Sequence, residues 1–382
     1  MASPSPLISA VSSHTDAALA AADLARQLCC PELGLVLFFC SAEYDRPALA
    51  QALQACFGEL PLVGCTTAGE ITSQGYASGS ISAIGFSRQA FAVEATLIEA
   101  LGDFTLTDAQ NALADLMQRC RTHNIAPITG HTFALTLLDG LSVQEEQVLT
   151  TLHAALGSIP HFGGSAADAL NMTDTHVYFN GQFHTDAAVL LLCNTRCEFR
   201  MFSTHHMMPT PQKLVVTQAC SEERRVLELN AEPAAVCYAN AVGVPLASLN
   251  HEVFAMNPIA VRLGDAYYVR SIQAVNDDLS LTFYCAVTTG IVLTVMKAGD
   301  IVRDTQALLE GIVDELGEPS MIIGCDCFLR RMELELTDQL AQTSALLQRF
   351  RVVGFNTYGE QFAGMHINQT FTGVAIGEYQ HE

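Results

Sequence analysis

Three stretches of the chain share one pattern of apolar and polar positions: an apolar strand, an acidic loop, a helix, and a Gly-rich segment entering a second strand. The first runs from Leu35-Val36-Leu37-Phe38-Phe39 through Glu43-Tyr44-Asp45 to Leu62-Val63-Gly64-Cys65-Thr66-Thr67-Ala68-Gly69-Glu70. The second runs from Phe133-Ala134-Leu135-Thr136-Leu137-Leu138 through Asp139-Gly140 to His161-Phe162-Gly163-Gly164-Ser165-Ala166-Ala167-Asp168. The third runs from Met321-Ile322-Ile323-Gly324 through Cys325-Asp326-Cys327 to Val352-Val353-Gly354-Phe355-Asn356-Thr357-Tyr358-Gly359-Glu360. Each leads into a further apolar strand, at 81–86, 187–192 and 371–376. The pattern predicts an α/β protein of two related mixed α/β domains, built by repeating one β-α-β-β unit. The spacing is too wide and irregular for a solenoid.

Between these stretches the periodicity places further elements. An Ala-rich helix is expected over 15–28, with Asp16 in its first turn, where a carboxylate is favourable. Thr107-Asp108 opens a helix to about His123, with Ala109, Leu113, Leu116 and Met117 on one face. The strand ending at Cys193 is expected to continue as a hairpin into 197–203. Two prolines then interrupt His205-His206-Met207-Met208-Pro209-Thr210-Pro211, and a domain boundary is placed within 210–225. An antiparallel meander over 267–272, 279–284 and 291–295, turning at Asn276-Asp277-Asp278, opens the second half, and a helix over 304–315 precedes the third repeat. The resulting division is an N-terminal helix over 1–28 and two domains over 29–218 and 219–382.

With 382 residues, half of them hydrophobic and 15% charged, the chain has material for two or three domains and a large core. A net charge of −22 opposes binding to nucleic acid or to an anionic membrane surface. Residues 1–6 carry no basic start or apolar core of a signal peptide, and no run of ~18 apolar residues could span a bilayer. A cytoplasmic location is therefore expected, with no membrane insertion. The 13 cysteines then read as reduced thiols, most of them in apolar runs, and none forms a CxxC pair suited to structural zinc.

Several landmarks in order resemble the FIST family of bacterial sensory proteins, which pair an N- and a C-terminal domain. They are Val63–Ile71, Val215-Val216-Thr217 with Glu228-Leu229-Asn230-Ala231-Glu232-Pro233-Ala234, Gly264-Asp265-x-Tyr267-Tyr268-Val269-Arg270, and Val352–Glu360. The resemblance implies FIST N- and C-domains over 29–218 and 219–382. One segment departs from the general family pattern: Thr204-His205-His206-Met207-Met208-Pro209 stands where Gly-Trp with basic and proline neighbours is expected. Here the chain is similar to the haem-binding, nitric-oxide-sensing NosP-type subgroup. That similarity implies haem b, nitric oxide as signal and a partner histidine kinase in two-component signalling, and it leaves the oligomeric state open, a homodimer included.

Haem iron needs a strong axial ligand, usually a neutral imidazole, in an apolar slot. His205 and His206 are the candidates, and because adjacent residues of an extended segment point to opposite sides, one of the two would face the iron. Met207 and Met208 would pack the pocket. The bland alternative is a pair of loop histidines beside a linker. Cys30-Pro31 resembles a haem-regulatory dipeptide but equally ends a helix. His161, His176 and His184 surround the second repeat and are read as loop and hairpin decoration. The Gly64–Gly69 segment lacks the lysine of a phosphate loop, and Glu70 would repel phosphate, so it is read as a turn between strand and hairpin. Asp265 with Arg270, and Asp326 with Arg330-Arg331, could hold a zwitterion but are read as salt-linked strand ends. Ser165 is not a nucleophile elbow, and no catalytic set emerges. The expectation is a non-enzymatic haem-based nitric oxide sensor. The alternatives are a FIST module binding a small organic ligand such as an amino acid between its halves, and a ligand-free scaffold.

Overall fold

The computed structural model describes residues 5–169 and 171–379; residues 1–4, part of the segment read for a signal peptide, lie outside it, as do 380–382 of the last domain. The three repeats form three six-stranded sheets of one design. In each, the two strands of the repeat lie parallel at the centre, as Val36 beside Leu62, Ala134 beside His161 and Ile322 beside Val352 show. The closing strand (Ile81–Ser87, Ala187–Thr195 or Phe371–Ile376) pairs antiparallel with the first. Outside it lies a leading strand: Leu7–Ser12, Phe91–Glu99 or Phe199–Thr204.

The other edge of each sheet is filled by a visitor. The hairpin Glu70–Thr72/Gly75–Ala77 of the first repeat completes the third sheet, the Glu360–Phe362/Met365–Ile367 hairpin of the third completes the second, and the Val177–Phe179/Gln182–His184 hairpin of the second completes the first. This cyclic exchange ties the repeats into one body. It also corrects one expectation: Phe199–Thr204 makes no hairpin with Ala187–Thr195 but pairs with Phe371–Ile376, more than 160 positions away in the chain.

The apolar runs are continuous because the central strands are buried on both faces. In Leu33–Ser41, alternate residues Leu35, Leu37 and Phe39 enter a core shared by all three sheets, while Val36, Phe38 and Cys40 lie under the helices Ala17–Gln27 and Arg46–Phe57. Phe133, Leu135 and Leu137, with Ile323 and Cys325, point inward in the same way. Helix starts follow capping chemistry. Asp45 accepts from the Ala48 N–H at 2.9 Å with Pro47 in the first turn, and Thr105 with Asp108 makes a capping box that begins the next helix at Leu106.

Each leading strand is followed by a helix, Ala17–Gln27, Leu106–His123 or Ile301–Leu316. Only in the third repeat does an insertion separate them. It is an antiparallel sheet running from Met207–Cys220 to Val292–Ala298, with its own core. The expected division at 218/219 falls inside the strand Met207–Cys220.

Candidate functional site

The chain ends of the parallel strands meet at one pole of the three-repeat body. Backbone hydrogen bonds close a ring there: Ala167 N–H to Thr66 carbonyl (3.0 Å), Ser165 N–H to Gly359 carbonyl (2.8 Å), and Asn356 N–H to Gly69 carbonyl (2.7 Å). Two buried carboxylates brace it. Glu70 accepts from Thr67 and Ser80 hydroxyls at 2.6 Å, and Glu360 accepts from the Thr357 hydroxyl and from Thr370. Burial pushes the Glu70 carboxyl up, and that of Glu360 up to about 8. The Gly64–Gly69 segment, read from sequence as a turn, is strand as far as Thr67, and only Ala68-Gly69 turn into the hairpin; Gly163, Gly164 and Gly354 likewise lie within central strands. Gly69 has φ +140° and lies against the Arg331 guanidinium, so that a Cβ there would collide with it.

The antiparallel sheet sits over this pole. Arg224 from the sheet is buried between Glu145 and Glu146, which open the helix of the second repeat, and Glu146 also accepts from the Ala286 N–H at 2.6 Å. The Ser271 N–H reaches Asn368 Oδ1 (3.3 Å), and Gln369 Nε2 reaches the Ala255 carbonyl (3.1 Å). Tyr284, Phe328 and Tyr358 pack edge to face or tilted, with ring centres 5.3–6.0 Å apart.

Beside these rings, buried polar atoms gather without a hydrogen-bond partner among the described residues: Ser165 Oγ, Ser271 Oγ, Tyr284 Oη, both ring nitrogens of His366, Asn368 Nδ2 and Gln369 Oε1. Five of the six residues are linked through close contacts and backbone bonds. His366 and Asn368 both lie against Gly359, Gly359 bonds Ser165, Asn368 bonds Ser271, and Ser271 bonds the Tyr284 N–H. Burial lowers the His366 pKa to about 4, opposed by Glu146 and reinforced by Arg224 and Arg270. The Tyr284 backbone lies close enough to influence the ring, but no hydrogen bond of normal geometry reaches either nitrogen. Buried polar groups are almost always satisfied, so these atoms call for hydrogen-bond partners from water or a solute. Apart from Ser165, weighed and set aside as a nucleophile, none of these residues stood out in the sequence. The signal was His366-x-Asn368-Gln369, polar and buried between two apolar strands.

The His-His-Met-Met segment occupies the joint where the chain leaves the body for the antiparallel sheet. His206 is fully buried. Its Nε2 lies 2.8 Å from both Glu333 oxygens, and its Nδ1 lies 3.0 Å from Arg330 Nη1. A guanidinium only donates, so Nδ1 accepts and the Nε2–H donates to Glu333. Arg330 also donates to Asp326 (2.7 Å) and Thr305 (3.1 Å), and Tyr76 donates to Asp326 (2.5 Å). The structure thus joins His206 to the Asp326–Arg330 pair. His205 is half-buried, accepts at Nδ1 from the Met207 N–H (3.2 Å) and lies 3.1 Å from the Tyr267 carbonyl through Nε2. Met207 is buried against Ala260, Val269 and Met296, whereas Met208 is exposed. Neither imidazole in this arrangement offers a free ring nitrogen to a haem iron, and an iron would have to displace one of these partners.

The remaining sequence candidates scatter. His161 bonds Thr136 (2.7 Å), while His176 and His184 lie near Asp174 (3.2 Å) and Glu99 (3.5 Å). Cys30, partly exposed, follows the end of the helix Ala17–Gln27. Asp265 pairs with Arg262 at 3.1 Å, not with Arg270. No helix among the described residues is long and apolar enough to cross a membrane. Residues 34–232 match the FIST N domain and residues 234–363 the FIST C domain. No curated protein sequence matches the chain.

Proposed function

Because this chain belongs to the FIST family, whose domains are sensory and signalling modules, we propose that it is a sensor recognising a small organic molecule at the interface of its three-repeat body and its antiparallel sheet. One observation carries the reading: seven buried polar atoms without partners, on six residues where the two parts of the chain meet. A guest there touches both parts, since Ser165, His366 and Asn368 come from the body while Ser271 and Tyr284 come from the sheet. It would therefore bias their relative arrangement by its differential affinity for the two states, which is what a sensor requires.

The haem-based nitric oxide reading, with a histidine kinase as partner, is supported by the Thr204–Pro209 resemblance and by that segment's position at the joint. His205 suits it better than His206, because its partners are two backbone groups rather than the buried Glu333 carboxylate and Arg330 guanidinium. One experiment separates the readings: absorption spectra of the purified full-length protein supplied with haem, in ferric, ferrous and ferrous-NO forms. We expect weak, broad absorbance unaffected by His205→Ala. A sharp band that shifts with reduction and with NO, and that disappears in His205→Ala, overturns the small-molecule reading.

A further inference from the structure

Arg270 ends the strand Ala266–Arg270 and is half-buried beside the polar cluster, where Nη1 donates to the His366 carbonyl at 3.2 Å and, more weakly, to that of Val269 at 3.5 Å. Among the described residues no carboxylate lies within 4 Å of it. Arg88, Arg121, Arg196, Arg349 and Arg351 also lack a carboxylate partner, but all five are exposed to water, whereas the other buried or half-buried arginines are paired. A partly desolvated guanidinium without a counter-charge, in a chain of 40 acidic and 18 basic side chains, is set apart from its neighbours.

The cluster itself is rich in donors. Asn368 Nδ2 carries two N–H groups, Ser165, Ser271 and Tyr284 each carry a hydroxyl, and one nitrogen of the neutral His366 carries a proton. Two unpartnered atoms can only accept, Gln369 Oε1 and the unprotonated nitrogen of His366, against two amide N–H groups, three hydroxyls and one imidazole N–H that can donate. Such a lining matches a group that only accepts, and a carboxylate is that group.

The acids nearby are already committed. Asp168 accepts from the Tyr358 hydroxyl and from the N–H groups of Met172 (2.8 Å), Thr173 (2.7 Å) and Asp174 (2.9 Å). Glu145 and Glu146 hold Arg224, and Glu360 holds Thr357 and Thr370. An α-amino acid would therefore bury its ammonium without a counter-charge, which is strongly unfavourable. We propose that this interface recognises a small organic carboxylate lacking an amino group, with Arg270 and the Asn368 amide as its receptors. The proposal rests on the reading of the interface as the recognition site and names its ligand class.

The test is calorimetric titration and thermal unfolding of the full-length protein with lactate, succinate, glycine, serine and glycerol, in wild type, Arg270→Gln and Asn368→Ala. Lactate or succinate should bind and raise the unfolding temperature, and Arg270→Gln should weaken binding at least about tenfold, the equivalent of ~1.4 kcal/mol. Glycine, serine and glycerol should do neither. Circular dichroism and ligand-free unfolding of each variant separate lost binding from lost fold, and if Arg270→Gln fails to fold, Arg270→Lys carries the comparison. The proposal is overturned if neither acid binds at millimolar concentration, if glycine or serine binds as tightly, or if acid binding survives Arg270→Gln. Glycerol or serine binding that is lost in Asn368→Ala overturns the ligand class and leaves the site standing. Binding indifferent to both substitutions overturns both.

Discussion

His366 shows how one residue can be structural and diagnostic together. Its ring is buried beside Arg224 and Arg270, with Glu146 as the opposing charge, and its pKa falls to about 4. The unfolded chain takes up the proton near pH 6.5, whereas the folded chain resists it until about 4. The stability that follows is present above pH 6.5 and is lost as pH falls from there toward 4, at up to about 1.4 kcal/mol per pH unit. Unfolding temperatures of ligand-free wild type and His366→Gln between pH 7.5 and 5 should show a shallower slope in the variant. Equal slopes would mean that His366 is already solvated in the folded protein. His161, lowered to about 3 by burial, titrates in the same direction and remains in both proteins, so the comparison isolates His366.

Among the elements, the exchanged hairpins are what turn repetition into a single body. The hairpin Glu70–Thr72/Gly75–Ala77 is anchored in the third sheet by Ile71 pairing with Gly354 and by Tyr76, whose hydroxyl donates to Asp326 inside the His206–Arg330 network. Tyr76→Phe keeps the ring and removes one hydrogen bond to a buried carboxylate. It should cost about 1.5–3 kcal/mol, as hydrogen bonds to charged groups do, read as a lower urea midpoint at unchanged slope. A change below about 0.5 kcal/mol would show that Asp326 is held by Arg330 and Asn356 alone.

The sequence made these strands legible because burial on both faces writes unbroken apolar runs, and the helix Leu106–His123 because Ala109, Leu113 and Leu116 share its buried face; its start, read at Thr107-Asp108, lies just inside the Thr105 cap. It did not reveal the partners of the hairpins, since a three-residue strand carries no mark of the sheet it joins. The leading strand Leu7–Ser12 escaped as well, being short and half-buried. The site was hidden for a related reason. Ser165, Ser271, Tyr284 and Asn368 are distant in sequence and come together only when the inserted sheet docks. His205 and His206 drew attention as an adjacent pair, while the Glu333 and Arg330 that engage one of them lie more than 120 positions away.

At the scale of the whole molecule, the antiparallel sheet is an insertion whose ends are neighbours. It leaves the body after His206 and returns at Gly299, whose N–H bonds the His206 carbonyl at 3.0 Å, and Met207 and Met208 pair with Ala298 and Lys297. Replacing residues 210–295 with a two-residue Asn-Gly turn would close a hairpin that the register already prepares, at little loop-closure cost. The three sheets keep every strand in such a variant, since none of the removed residues belongs to them. It should therefore fold with a single cooperative transition, seen by calorimetry, at a lower temperature than the full chain. The decrease follows from losing the Arg224 contacts to Glu145 and Glu146 and the packing of Tyr284 on Phe328 and Tyr358. Loss of Ser271, Tyr284 and Arg270 should abolish small-molecule binding as well. A variant that folds and still binds would move the recognition site into the three-repeat body alone. One that cannot fold would make the sheet part of the body's own core, so that sensing and stability could not be separated in this chain.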